Sequence, residues 1–211
     1  MSRVLLADDH PLFRHALRAV VARAQAGFEI SEADSLAGAK NILARENDVI
    51  LILLDLKLSD CGNFAGLLCL RGEYPQIPVV VVSSSSDSHT ISHALALGAA
   101  GFIPKSSSMS NIEAAVAEVL AGGISAPSIP FATQISATIK SIASLTPAEL
   151  KVLMGLQRGL RNKEIAHEMG VTEKTVKAYT SMVYRKLGVN SRTQAIIAMQ
   201  TVTAETELTS Q

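Results

Sequence analysis

The segment Val49-Ile50-Leu51-Ile52-Leu53-Leu54-Asp55 constrains this chain most. It is an unbroken run of branched apolar residues closed by one carboxylate. The run is too short to span a bilayer and has no polar face to turn to solvent. It predicts a strand buried on both faces, which is how the central strand of a parallel sheet reads. An open parallel sheet does its chemistry just beyond the carboxyl ends of its strands, and Asp55 stands at that point. Taken alone, an aspartate after a strand more often starts a turn or caps the next helix. The surrounding pattern has to decide.

Val4 to Ala7 is a second short apolar run, ending in Asp8-Asp9, and Pro11 then opens a helix where a missing N–H costs little. Phe28 to Ala33 reads as a strand, and Ser35 can cap a helix running to about Ala44. After Asp55, a loop through Ser59-Asp60-Cys61-Gly62 leads to a helix that ends before Pro75. Pro78 to Val82 is the next buried strand, ending in Ser83, and a helix from about Ser88 stops at Gly98. Gly101 to Lys105 is a short last strand, and Met109 to Ala121 a closing helix. Strand and helix alternate five times, which predicts an α/β doubly wound, five-stranded parallel sheet.

The strands end in Asp8 and Asp9, in Asp55, in Ser83 and in Lys105. A parallel sheet gathers all five side chains at one edge. Three crowded carboxylates repel one another unless a cation sits among them. Mg2+ suits, because it takes one or two carboxylates and keeps positions for water and phosphate oxygens. A carboxylate beside Mg2+ can attack a phosphoryl group and form an aspartyl-phosphate. Lys105 supplies the positive partner and Ser83 the hydroxyl.

Residues 1–124 resemble the receiver domain of bacterial two-component response regulators. Asp8-Asp9-His10-Pro11-Leu12-Phe13-Arg14 resembles the opening of the NarL/FixJ branch, and the offsets of 28 from Asp55 to Ser83 and 50 to Lys105 are those of that branch. The resemblance implies a flavodoxin-like fold with Asp55 as phosphoacceptor. It implies Mg2+ held by Asp8, Asp9, Asp55 and the backbone carbonyl of Lys57. Ser83 would sense the phosphoryl group, Lys105 would pair with it, and Phe102 would swing inward on activation. The chain departs from the family where Ser106 follows Lys105 in place of a frequent proline, which argues against a cis peptide there. Ser59 also replaces a frequent proline, and Lys57 puts a cation near the acceptor.

Other candidates read as structural. His10 has no second His or Cys at metal-ligand spacing and is expected to be a loop histidine. His89 and His93 are spaced i, i+4 but lack the glutamate of a zinc-protease motif. Cys61 and Cys69 are too few for a disulfide scaffold and read as reduced thiols.

Residues 125–144 form a composition break rich in Ser, Thr, Ala, Ile and Pro, and are expected to be a linker, with a short helix within Thr133 to Ile142. Beyond it the charge changes sign. Residues 1–124 hold 9 Lys/Arg and 13 Asp/Glu, whereas residues 125–211 hold 10 and 6, so the basic half suits a polyanionic partner. Thr146-Pro147-Ala148-Glu149 is a capping box with proline at the first helical position. A short helix from Asn162 closes at Gly170, and Thr172 caps a longer one through Leu187. Short helix, glycine turn and capped longer helix make a helix-turn-helix pattern. Val176, Thr180, Val183 and Leu187 form its inward stripe; Lys174, Lys177, Ala178, Ser181 and Arg185 form a cationic outer face able to approach a major groove. A basic helix face is usually just solvated, but the cap spacing and 9 basic against 4 acidic residues over Leu145 to Thr203 favour DNA.

Asn162-Lys163-Glu164-Ile165-Ala166, Lys174-Thr175-Val176-Lys177, Lys186-Leu187-Gly188-Val189 and Ser191-Arg192-Thr193-Gln194-Ala195 resemble the LuxR-type DNA-binding domain, expected at 145–203 before a tail at 204–211. The resemblance implies that Lys177, Ala178 and Ser181 read base edges. Lys163, Thr172, Lys174 and Thr175 would hold phosphates, and the final helix would be the dimer face. Tyr179 stands where the family usually has histidine. Together the two halves imply a response regulator, not an enzyme. A sensor histidine kinase would phosphorylate Asp55, controlling homodimerisation, promoter DNA binding and transcription. No apolar run approaches the about 18–20 residues of a membrane span, so a soluble, cytoplasmic protein is expected. An aspartate-nucleophile phosphatase is the competing reading; it needs a second acid two residues after the nucleophile, where this chain has Lys57.

Overall fold

The computed structural model describes residues 2–24, 27–127 and 135–204. Five strands, β1 (Arg3–Ala7), β2 (Glu29–Ala33), β3 (Val49–Asp55), β4 (Val79–Ser83) and β5 (Gly101–Pro104), pair in the order β2-β1-β3-β4-β5. All four pairings are parallel, so every strand ends at the same edge. Between and after them run α1 (Pro11–Ala24), α2 (Leu36–Leu43), α3 (Ala65–Glu73), α4 (Ser88–Ala96) and α5 (Met109–Leu120). The expected doubly wound sheet is thus present, and β3 lies at its centre.

Alternation along the strands splits the core into two layers. Leu51, Leu53, Val80, Val82 and Ile103 face Leu17, Val20, Ile112 and Val116 of α1 and α5. Ile52, Leu54, Val81 and Phe102 face the other way, toward Ala39, Leu67, Leu68 and Ala94 of α2, α3 and α4. Strand β3 feeds both layers, which is why its sequence shows no polar phase. Its neighbours are β1 on one side and β4 on the other, so the chain reverses its direction of travel across the sheet between Asp8 and Asp55. That reversal opens a crevice at the strand ends.

The helical half comprises α6 (Ala137–Ala143), α7 (Pro147–Gln157), α8 (Asn162–Met169), α9 (Glu173–Leu187) and α10 (Arg192–Ala204). The caps are those read from sequence: Thr146 and Glu149 form the capping box, Thr172 accepts from the Thr175 N–H, and Gly170 and Gly188 end their helices at φ 64° and 67°. Only a residue free of Cβ takes that left-handed turn at no cost.

The linker is more structured than its composition implies. Ser125 forms a parallel bridge with Gly101 and accepts the Phe102 N–H at 2.8 Å, which fastens the chain to β5 before it leaves the sheet. The short helix within it is α6, whose Ile139 and Ile142 are fully buried. Residues 128–134 lie outside the described residues. The core layer on the α3 side continues without a break through Ile139, Ile142, Leu145, Leu150, Leu153 and Met199, so the two halves pack on each other.

Candidate functional site

The five strand-end residues converge. Asp8 and Asp55 are almost wholly buried, and the Lys105 ammonium lies 2.7 Å from Asp8 Oδ2 and 2.6 Å from Asp55 Oδ2. Lys105 reaches them because its N–H donates to the Ser83 carbonyl at 2.7 Å, which carries the parallel ladder one residue past β5. Its Nζ also stands 4.9 Å above the Phe13 ring of α1, a cation–π contact that steadies it. Asp55 Oδ1 accepts the backbone N–H of Lys57 at 3.0 Å, while the Lys57 side chain points to solvent. Ser83 is buried, its Oγ accepting the Ser85 N–H at 3.2 Å. Phe102 is buried in the core layer beneath α4. No peptide among the described residues is cis, in keeping with Ser106 after Lys105.

The structure gives His10 a place that its spacing did not reveal. Its backbone N–H donates to Asp8 Oδ1 at 2.8 Å, and its Nδ1 lies 2.8 Å from Asp9 Oδ1 and 3.6 Å from Asp55 Oδ2. His10 therefore joins Asp8, Asp9 and Asp55 in one group whose ligand atoms all lie within 4.8 Å of one another. The sequence signal was its position directly after the acid pair on a tight strand-to-helix turn. His89 and His93 meet edge to face, 6.1 Å between ring centroids, with His93 packed against Phe64. Both cysteines are free thiols; burial pushes Cys61 up to about 11 and Cys69 to about 12, so neither is a thiolate at neutral pH.

The acidic group has the chemistry of a hard-cation site. Asp8 Oδ2 and Asp9 Oδ1 are buried and accept no well-aligned hydrogen bond, although Lys105 and His10 stand close to them. Buried carboxylate oxygens left short of donors are matched by an ion that takes oxygen ligands.

In the helical half, Lys174, Lys177, Ala178, Ser181 and Arg185 are exposed along one side of α9, with Val176 and Val183 fully buried behind them, and Lys163 of α8 and the capping Thr172 are exposed as well. The Thr172 and Thr175 hydroxyls bond to each other at 2.9 Å, and Ser181 Oγ donates to the Lys177 carbonyl at 3.0 Å. Lys177 Nζ rests 3.0 Å from Glu173 Oε1. Tyr179 is half-buried and packs against the small core that Val152, Leu156, Ile165, Ala166 and Val176 form between α7, α8 and α9, so it serves that core more than the outer face. On α10, Thr193, Ile197, Gln200 and Thr201 make an exposed stripe around one large apolar residue.

Comparison with known proteins bears on both halves. Residues 4–117 match the response regulator receiver domain, and residues 143–199 match the LuxR family of bacterial regulatory proteins. The chain belongs to the response regulators with a LuxR-type DNA-binding domain. This response regulator is 37% identical to the glycerol metabolism activator of Pseudomonas putida, over 94% of this chain and 95% of that one. It is 30% identical to the transcriptional regulatory protein LnrK of Bacillus subtilis, over 93% and 96%. RcsB from Salmonella enterica serovar Typhimurium, bound to the promoter P1flhDC with a phosphomimetic, superposes over 96% of this chain and 99% of that one with TM-score 0.54 and 20% identity. A LuxR family DNA-binding response regulator from Silicibacter pomeroyi covers 60% of this chain and 98% of its own, with TM-score 0.54 and 33% identity. The family is one of DNA-binding transcriptional regulators, so this response regulator is not an enzyme. No helix among its described residues is long and apolar enough to cross a membrane.

Proposed function

We propose that this response regulator is switched by phosphorylation of Asp55. Its domains are a receiver at 1–124, a linker at 125–144 and a DNA-binding domain at 145–203, working in the cytoplasm. The observation that supports the acceptor assignment most is the pair of short Lys105 contacts, which join Asp8 and Asp55 at the sheet edge. Asp55 is the nucleophile: one of its oxygens attacks the phosphoryl group carried on a histidine of the sensor kinase, the P–N bond breaks and an acyl phosphate forms. The attacking oxygen must first shed a donor. Lys105 can leave Asp55 Oδ2 for an oxygen of the incoming phosphoryl group while its contact with Asp8 holds it at the site. Ser83, one strand over, then offers its hydroxyl to the new dianion. The donors Asp8, Asp9, Asp55 and the Lys57 carbonyl would hold Mg2+, which when bound supplies charge neutralisation for the transfer.

The output reading is that two copies pair along the exposed stripe of α10 and set α9 into the major groove of promoter DNA. Lys177, Ala178 and Ser181 face base edges, and Lys163, Thr172, Lys174 and Thr175 face phosphates. Incubation with acetyl phosphate and Mg2+ should place acid-labile phosphate on the chain, and Asp55→Asn should abolish it. Label that survives Asp55→Asn assigns the acceptor elsewhere.

A further inference from the structure

Six of the nine residues of α3 are buried, and they lie all round the helix. A surface helix of an α/β sheet buries one stripe; α3 buries two because α7 covers its outer side. Leu150 and Lys151 of α7 lie against Gly72, where a Cβ would meet them at 3.6–3.7 Å, an ordinary packing distance. In the midst of this apolar helix stands Arg71, and among the described residues no carboxylate pairs with it. Its guanidinium donates to three backbone carbonyls: Leu97 at the end of α4 (3.2 Å), Ala143 at the end of α6 (2.9 Å) and Leu145 before α7 (3.1 Å). Burial lowers its pKa from the ordinary arginine value, yet a guanidinium stays charged under any condition in which the protein folds. One planar cation thus clamps the end of a receiver helix to the elbow of the DNA-binding half.

A second fastening lies nearer the phosphoacceptor. Asn63, in the loop between Asp55 and α3, donates its Nδ2 to the Thr203 carbonyl at 2.9 Å, at the end of α10. The two fastenings trace back to the same sheet edge. The loop after Asp55 leads to Asn63; the segment after Ser83 leads through α4 to Leu97 and so to Arg71. Meanwhile the outer residues of α9 and of α10 are exposed, so the receiver covers neither.

We infer that the receiver governs its DNA-binding half by holding it in a fixed seat, through Arg71 and Asn63, and not by covering the face that reads DNA. Phosphorylation at Asp55 is transmitted as a change in how those two side chains grip the elbow and α10, and so in how the reading helix is oriented. The inference rests on Asp55 being the phosphoacceptor. A fixed seat has two discrete consequences: the halves tumble as one body, and a change at either strand end biases both.

The full-length chain and its Asn63→Ala, Arg71→Ala and Arg71→Lys variants are compared in three measurements: acid-labile phosphate after acetyl phosphate treatment, backbone 15N relaxation, and affinity for a duplex enriched by the wild-type chain from a random-sequence pool, with and without beryllium fluoride. All variants should take phosphate as wild type does. The two halves should tumble separately in Arg71→Ala, and the ratio of affinities with and without beryllium fluoride should fall by about two- to thirty-fold, the range by which single contacts modulate coupling. Arg71→Lys keeps the charge but not the three-way fork, and should fall between. Wild-type tumbling and a wild-type ratio in both Arg71→Lys and Asn63→Ala overturn the inference, whether or not Arg71→Ala folds. Absence of phosphate from the wild-type chain overturns the acceptor assignment instead, and the tumbling data still decide whether Arg71 is a clamp.

Discussion

The Lys105 ammonium donates to Asp55 Oδ2 across 2.6 Å, although the two residues are 50 positions apart in the chain. The same ammonium lies 2.7 Å from Asp8 Oδ2, so one cation holds two buried carboxylates apart from open repulsion. Removing it takes the ammonium from both buried charges and leaves them only neutral N–H donors and the nearby His10, a change that in proteins costs far more than the pair itself contributes. Lys105→Ala should therefore destabilise the receiver by about 3 kcal/mol in the absence of divalent cations. Added Mg2+ should recover part of that loss, because a divalent ion can take over the neutralisation. Thermal melts of the variant with and without Mg2+ measure both effects; a variant indifferent to Mg2+ would show that the carboxylates do not share an ion.

The exposed lysines of α8 and α9 make separable predictions. Lys177→Ala should lower affinity for a specific duplex by about 1–3 kcal/mol and relax its base preference, as expected of a base-edge contact. Lys163→Ala should weaken binding to all sequences alike and reduce the salt slope by about one. Lys177 is held by Glu173 in the free protein, an exposed i, i+4 pair of small strength. Glu173→Ala should free it and raise affinity slightly. Fluorescence anisotropy titrations over a range of salt concentrations distinguish the three; equal effects of Lys177→Ala on all duplexes would move that residue to the phosphate-contacting set.

Glu149 predicts a pH dependence of the helical half. Burial pushes its carboxyl up, but the Lys186 ammonium at 2.6 Å and the Thr146 N–H at 2.7 Å outweigh this and hold it below its ordinary value of 4.5. A carboxyl lowered by folding contributes stability that is fully present above its unfolded pKa and is lost as the pH falls through the folded one. The helical half should thus keep its stability above pH 4.5 and lose it progressively below. Glu149→Gln should cost about 1–3 kcal/mol at neutral pH by leaving Lys186 without its anion, and should flatten the acid-side decline. Denaturant melts across the acid range give both readouts.

Gly101 predicts a steric effect. Alanine suits a strand no worse than glycine does, yet a Cβ at 101 would stand 2.6 Å from the Ser125 carbonyl oxygen. Backbone must shift to admit it. Gly101→Ala should cost about 1–3 kcal/mol and break the strap that Ser125 makes to Phe102. Faster amide exchange at Phe102 would register it, and unchanged exchange would show that the strap is slack.

What the sequence by itself determined is local in origin. The apolar runs, the residues that close them, the capping box at Thr146 and the glycines at 170 and 188 are signals written within a few positions of one another. A parallel sheet turns such local facts into a global one, because all its strands end at one edge. Asp8, Asp9, Asp55, Ser83 and Lys105 could therefore be gathered without coordinates, and so could the cationic side of α9. The tertiary structure alone decided what depends on neighbours distant in the chain: that His10 leans on the acid group, that the short helix expected in the linker buries Ile139 and Ile142 in the receiver's core layer, and that α3 has a second buried face with Arg71 beside it. Helical periodicity tells how much of a helix is apolar but not which partner covers it, and a lone arginine in an apolar helix does not say whose carbonyls it will find.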